Sequence, residues 1–324
     1  MLLTKTSPRN RLQIILAAGI ISMLAATVGI TIVIVNHPIR EQKVYVGVYQ
    51  PNSPGSYNQL EDFKNQAGFT PRITSYYTSS FSQAFPVSFA KQAAADGTMV
   101  LVQWQPRGTT NAAIAGGQDD AAIIATAKAI ASVNYQVIVS YGQEMNGNWY
   151  PWGNMGGNTA SEYIAAYQHV WNIFQEQNVH NVTWLWDPNI IYEGSASLQQ
   201  WYPGDKYVDW VGFDGYYEQP TDTFQSVFVP SINELRSFTG KPMIIGETGV
   251  AGNAGVAQIE STFAGASQYG MLAVVYFDVS QSGDSTHQDW RLEDNPANMA
   301  AFKEAVQLYG IRPLIPTPTA PSQG

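Results

Sequence analysis

Cysteine is absent from the 324 residues, which excludes disulfides, thiolate metal sites and cysteine nucleophiles, and leaves the fold stable in any redox compartment. Charge is also scarce. Only 13% of residues are Asp, Glu, Lys or Arg, and 16 basic against 25 acidic residues leave a formal charge of -9. That balance argues against nucleic acid or an anionic lipid surface as a main partner. Neither GxGxxG nor GxxxxGK[ST] occurs, so no glycine-rich phosphate cradle is encoded. The histidines, His37, His169, His180 and His287, show no metal-ligand spacing, and neither a metal nor another cofactor is expected.

Aromatic residues are plentiful instead, with 9 Trp and 18 Tyr. Such a surface suits uncharged sugars, through ring-face stacking and hydrogen bonds to hydroxyls, although a large barrel also buries aromatics. At the N-terminus, Lys5, Arg9 and Arg11 precede a stretch from Leu12 to Val35 that carries no charge. Roughly 20 apolar residues span a bilayer, and the basic flank stays cytoplasmic. A cleaved signal peptide is the rival reading, with small residues around Ala25 and Ala26. We take 1–11 as a cytoplasmic flank, 12–35 as a transmembrane anchor or signal segment and 36–43 as a linker. The catalytic domain at 44–310 then lies outside the cell, single-pass anchored or secreted after cleavage. Residues 311–324, rich in proline and small polar residues, read as a disordered tail.

Between these ends, short runs rich in Val, Ile and aromatics alternate with helix-like stretches. The strand candidates are 44–49, 71–76, 98–104, 136–141, 182–186, 208–213, 242–246 and 272–277. They are too continuously apolar for a sheet with one wet face. Helix-like stretches fall at 57–66, 88–95, 120–132, 161–177, 224–238, 256–269 and 297–308, with a weak helical signal at 197–201. Eight strand–helix repeats without a phosphate fingerprint predict an α/β fold, a (β/α)8 TIM barrel preceded by an N-terminal transmembrane segment. Chemistry in such a barrel sits where the strands end.

Two glutamates occupy such places: Glu144 in YGQEMNGNWYPWG after the fourth strand, and Glu247 in KPMIIGETG at the end of the seventh. Paired carboxylates among tryptophans suit glycosidic-bond hydrolysis. A lone glutamate after a buried strand is commonly a salt bridge or a cap; two at these positions favour catalysis. The runs QEMNGNWYPWG, AGGQDD, WLWDPN, YPGDKYVDWVGFDGYY, KPMIIGETG and QDWRLEDNP resemble glycoside hydrolase family 26, over roughly residues 44–309. EMNGNW with a following Trp is the specific element.

The resemblance implies that Glu144 is the general acid/base and Glu247 the nucleophile of a retaining, endo-acting hydrolase of β-1,4-linked mannan or mixed-linkage β-glucan. It implies that Tyr216 hydrogen-bonds the nucleophile. Trp104, Trp149, Trp152, Trp186 and Trp290 are expected as stacking platforms, and Gln143, Asn146 and Asp187 as polar sugar contacts. The sequence leaves open which of Tyr216 and Tyr217 faces the site. Where the family carries a histidine directly before the acid/base and an arginine a few residues earlier, this chain has Gln143 and Ser140, so no fixed cation neighbours the carboxylates. Asp119 and Asp120 read as helix N-cap residues, Asp209 and Asp214 as loop-orienting groups, and Glu293 and Asp294 as a solvated loop. The loop 107–120 after the third strand reads either as a cleft wall or as a barrel cap. Partners are expected to be a poly- or oligosaccharide and, through the N-terminal segment, a membrane; the barrel is expected to be a monomer. An exopolysaccharide-trimming enzyme or transglycosylase, and a non-catalytic carbohydrate-binding barrel, are the alternatives.

Overall fold

The computed structural model describes residues 43–310, apart from 155–156, 252–254 and 282–287. The expected membrane segment, the linker up to residue 42, the C-terminal tail and His287 lie outside the described residues. Among the described residues, no helix is long and apolar enough to cross a membrane.

Eight parallel strands form one sheet: β1 Tyr45–Tyr49, β2 Ile73–Tyr77, β3 Met99–Trp104, β4 Val137–Tyr141, β5 Val182–Trp186, β6 Trp210–Val211, β7 Ile244–Thr248 and β8 Ala273–Phe277. Neighbouring strands follow chain order from β1 to β6, and β8 pairs with both β1 and β7. The ring closes between β6 and β7 through single bridges, Val211 to Met243 and Asp214 to Glu247. The helices are α1 Asn58–Ala67, α2 Val87–Ala95, α3 Asn111–Ala115, α4 Asp120–Ala131, α5 Ala160–Glu176, α6 Phe224–Val227, α7 Val229–Phe238, α8 Gly255–Gln268 and α9 Pro296–Tyr309.

Alternation along each strand sorts the side chains. One set, including Tyr45, Ile73, Leu101, Ile138, Leu185 and Ile244, fills the lumen as a separate apolar cluster. The other set, including Val100, Val139, Trp184 and Ile245, faces the helices in the larger outer core. Toward the C-terminal ends of the strands the inward positions become polar: Gln103 and Ser140 are register partners on β3 and β4, followed by Asp187 and Asp214.

Three departures from the sequence reading have local causes. The expected sixth strand at 208–213 survives only as Trp210–Val211, because the Trp184 N–H goes to the Asp209 carboxylate at 2.9 Å and closure on β7 relies on isolated bridges. The single helix expected at 224–238 breaks at Phe228, where Pro230 opens a second helix and cannot supply an N–H to continue the first. The loop after β3 contains the unforeseen helix α3, capped by the Thr110 hydroxyl. Asn111 at its start donates to the Trp152 carbonyl at 2.8 Å and accepts from the Tyr141 hydroxyl at 2.8 Å, pinning this loop to the segment after β4.

At the N-terminal side of the barrel, Asn181 Nδ2 donates to three carbonyls, of Ile130, Val133 and Tyr135, at 2.9, 2.6 and 3.0 Å, gathering the end of α4 beneath β4 and β5. Replacing Asn181 by Ala should cost about 1–3 kcal/mol, since carbonyls in a partly buried site lose their donor. Asn181→Asp should cost more, because it turns a charged oxygen toward the same three carbonyls. Thermal melts of the two variants check the order; equal melting temperatures would remove this role.

Candidate active site

The chain leaves β4 through a left-handed turn. Gly142 has φ 57°, and Tyr163 lies 3.1 Å from where its Cβ would be, so a side chain there meets both strain and a clash. Glu144 is itself left-handed, with φ 54°. A non-glycine residue in that region costs on the order of 1–3 kcal/mol and persists only where surrounding contacts impose it. Here the Glu144 N–H donates to the Asp187 carbonyl at 2.8 Å, and the Gly147 N–H donates to the Glu144 carbonyl at 2.9 Å. These bonds carry the β4–β5 ladder past the strand end and turn the carboxylate toward the barrel mouth. There it accepts from Trp149 Nε1 at 2.8 Å and Asn189 Nδ2 at 2.6 Å.

Glu247 arrives by another device. Between Ile245 and Thr248 the β7–β8 register slips: three steps on β7 match two on β8, from Val274 to Tyr276. The extra residue is a bulge, which re-aims the side chain. The Glu247 carboxylate accepts hydrogen bonds from the hydroxyls of Tyr77, at the end of β2, and Tyr216. Of the adjacent tyrosines, Tyr216 is the one at the site; the hydroxyl of Tyr217 accepts from Thr262 on α8 at 2.9 Å.

Both glutamates titrate above the ordinary carboxylate range. Burial raises Glu144, against the indole and amide donors. Burial and the charge of Glu144 raise Glu247, against the two phenols. Two phenols relieve Glu247 and an indole and an amide relieve Glu144, yet burial and the neighbouring charge still push Glu247 up to about 8.

The remaining expected residues divide. Trp149, 40% exposed and 5.7 Å from Tyr192, presents an open aromatic face beside Glu144. The other four tryptophans are buried and offer no platform. Trp104 stacks on Phe81 at 4.8 Å in the layer between sheet and helices. Trp186 points outward against Tyr202 and Phe238. Trp152 stacks on Tyr150 at 4.3 Å and donates to the Gln143 carbonyl at 2.9 Å. Trp290 packs on Tyr216 at 4.6 Å and backs the residue that serves Glu247. Alternation placed Trp104 and Trp186 on the helix side of their strands, an assignment that short strands of mixed aromatics conceal.

Asn146 is not a sugar contact either. It is fully buried and locked to the backbone of Asn189 in both directions, at 2.9 and 2.8 Å, which fixes the donor to Glu144. Asp187 points into the lumen, where it accepts from Gln103 Nε2 at 3.0 Å. Asp214, expected as a loop-orienting group beside the sixth strand, is buried near it. Gln143 is buried, and its carboxamide makes no hydrogen bond with the described residues. Asp119 sits at the start of α4 without capping it; its carboxylate accepts from the Thr109 hydroxyl at 2.6 Å, while Asp120 pairs with His169 at 2.7 Å. Glu293 turns toward buried Asp278, whereas Asp294 pairs with Arg291 at 2.6 Å. Sequence reasoning missed Tyr77 and Asn189. The strand-end position of Tyr77 was a usable signal; Asn189 had none beyond its place three residues after β5.

Fold and site together define a (β/α)8 barrel with paired carboxylates at the ends of β4 and β7. The model of glycosyl hydrolase family 26 matches residues 52–240, more than half of the chain, and the protein belongs to that family. It is 30% identical over 226 residues to Endoglucanase H of Acetivibrio thermocellus, covering 65% of this chain and 24% of that protein. It is also 30% identical over 118 residues to a mannan endo-1,4-beta-mannosidase of Bacillus subtilis, covering 35% of this chain and 30% of that one. The matches thus span less than a third of these relatives. Among solved structures, an endo-beta-1,4-mannanase double mutant from Cellulomonas fimi aligns with TM-score 0.65 at 18% identity, over 84% of this chain and 73% of that one. The GH26 domain of an endo-beta-mannanase/endo-beta-glucanase from Prevotella bryantii aligns with TM-score 0.58 at 16% identity, over 83% and 90%. At such identity these two likenesses speak for the fold.

Carboxyls that titrate higher in the fold than in the unfolded chain bind more protons when native, so they favour folding below the unfolded value and lose that contribution as pH rises through the folded one. Stability of the wild type should therefore fall as pH rises from the ordinary glutamate range toward neutrality, and Glu247→Gln should flatten that slope. Chemical denaturation across the range checks this; a steeper slope in the variant would contradict the assignment.

Proposed function

We propose that the protein is a retaining, endo-acting glycoside hydrolase that cleaves β-1,4-linked polysaccharide, mannan or mixed-linkage β-glucan, by double displacement. The observation that carries this reading is the meeting of two buried glutamates from the ends of β4 and β7, Glu247 served by the hydroxyls of Tyr77 and Tyr216 and Glu144 by Trp149 and Asn189. In the first step a Glu247 oxygen attacks the anomeric carbon as the glycosidic C–O bond breaks, and Glu144 gives its proton to the departing oxygen. In the second, Glu144 takes a proton from water, whose oxygen attacks the same carbon and frees Glu247. Such a pathway needs the carboxyls about 5–5.5 Å apart and retains configuration. Trp149 stacks against a sugar ring beside the acid. The endo-acting names of the relatives, endoglucanase and mannan endo-1,4-beta-mannosidase, support internal cleavage and both candidate polymers.

The apolar run at 12–35 supports a barrel that works outside the cell, held at the membrane or released from it. A tethered enzyme has a reason to act on the cell's own exopolysaccharide, so trimming or transglycosylation is the second reading. Longer products in the presence of excess acceptor sugar would establish it.

Reducing-end release from glucomannan, galactomannan, mixed-linkage β-glucan and xylan tests the assignment. One polymer class should be cleaved by the wild type, and Glu144→Ala and Glu247→Ala should each lose at least about 10³-fold in kcat. Activity surviving both substitutions would sink it, and binding of a glycan without cleavage would favour a binding-only barrel. Removing a phenol donor should make Glu247 harder to ionise. Tyr77→Phe should therefore move the acidic limb of the kcat/KM profile to higher pH, with a loss of about 10–100-fold below it. An unmoved limb would exclude Tyr77 from this role.

A further inference from the structure

Phe277, at the end of β8, is buried against three tyrosines of the barrel mouth. Its ring stacks on Tyr49 at 5.0 Å and meets Tyr77 and Tyr216 edge-on at 6.2 and 5.9 Å. Two of the three hydroxyls, those of Tyr77 and Tyr216, donate to Glu247. The third is free: among the described residues, the Tyr49 hydroxyl meets no hydrogen-bond partner.

Strand alternation turns this free hydroxyl toward the site. Tyr45, Ile73 and Val275 fill the lumen, so the two-residue period also points Tyr49, Tyr77 and Phe277 inward. Tyr49 and Phe277 are direct register partners on β1 and β8. Tyr49 is thus the last inward residue of β1, and it is partly open to solvent where the four residues before it are buried. Its ring is fixed from two sides, by the stack on Phe277 with planes 16° apart and by Tyr77, 4.9 Å away at 86°. A ring held in this way presents its hydroxyl in one place at little further cost in entropy. Burial and then the charge of Glu247 raise the phenol above its ordinary titration range, so it keeps its proton and can both donate and accept.

We propose that Tyr49 is a substrate-binding residue: its hydroxyl hydrogen-bonds a hydroxyl of the pyranose that Glu247 attacks. The proposal rests on the reading of Glu247 as the nucleophile. The reacting sugar carbon must come to that carboxylate, where the Tyr77 and Tyr216 hydroxyls already end. Of the three phenols around Phe277, Tyr49 alone is left to meet the hydroxyls that flank that carbon. A neutral donor and acceptor matches an uncharged sugar, whose hydroxyls also give and take hydrogen bonds. Solvent at the exposed phenol is exchanged on binding, so the contact is worth one neutral hydrogen bond.

Tyr49→Phe keeps both ring contacts and removes the hydroxyl alone. It should lower kcat/KM on the cleaved polymer about 3–10-fold, with both limbs of the pH profile in place and the melting temperature unchanged. A Tyr49→Phe enzyme equal to the wild type, with Tyr49→Leu impaired, would reduce Tyr49 to a brace for Tyr77 and overturn the contact. An acidic limb moved by Tyr49→Phe would overturn it too, because the hydroxyl would then act through Glu247 and not on the sugar. Calorimetry reads the same contact without turnover, using full-length Glu144→Gln titrated with mannohexaose and with a mixed-linkage glucohexaose. Adding Tyr49→Phe should raise the Kd of the glycan that binds about 3–10-fold. An unchanged Kd, or no binding of either glycan to Glu144→Gln, would overturn the contact. Glycan bound by Glu144→Gln while the wild type cleaves no polymer would defeat the hydrolase reading, whereas cleavage with an unchanged Kd would defeat the Tyr49 contact alone.

Discussion

The mouth of this barrel depends on one close approach, the Asp187 carboxyl lying against the backbone at Gly212 and Gly246. Any side chain at either glycine would expel it. The same residue's carbonyl fixes Glu144 in a left-handed conformation that the backbone resists, and its carboxyl packs on the peptide leading into Glu247. The two glutamates, from strands three positions apart, are thereby referred to a single buried residue. β6 is only two residues long, and the chain runs past this carboxyl at Gly212. Its role is to let Asp187 pass and to set Asp214 between Asn189 and Glu247.

The electrostatic consequence is a cluster of four buried carboxyls with no neighbouring cation among the described residues. Buried charge of one sign is expensive, and proteins relieve it with protons or hydrogen bonds when opposite charge is missing. Here relief is unequal. Glu247 has two phenols, Glu144 an indole and an amide, and Asp187 the carboxamide of Gln103. Ser140 and Gln143 are buried and neutral in this barrel and bring no charge to the cluster.

Much of the fold was legible in the sequence because it follows from periodicity. Eight apolar runs separated by amphipathic stretches announce a parallel barrel, and strand ends locate Glu144 and Glu247 before any coordinate is seen. What stayed hidden depends on direction rather than position. Trp104 and Trp186 occupy strands near the site but face the helices, since inward and outward sets differ by one residue. Asn146 lies two residues from Glu144, yet its polar atoms are consumed by the backbone of Asn189, and Asp187, at the end of β5, is buried in the lumen. Tyr77 comes from a strand far from either glutamate in sequence, and only ring closure brings it to Glu247. The bulge on β7 is likewise invisible to pattern, because the run KPMIIGETG alternates no differently with or without an extra residue in the ladder.

Which carboxyl oxygen forms the bond to sugar decides between the two glutamates as nucleophile. Incubating the full-length protein with 2-deoxy-2-fluoro glycosides of the gluco and manno series, each bearing an activated leaving group, should trap the intermediate. Peptide mass spectrometry should then find one sugar esterified to Glu247. An adduct on Glu144, Asp187 or Asp214 instead would contradict the assignment of nucleophile and acid on which the rest is built.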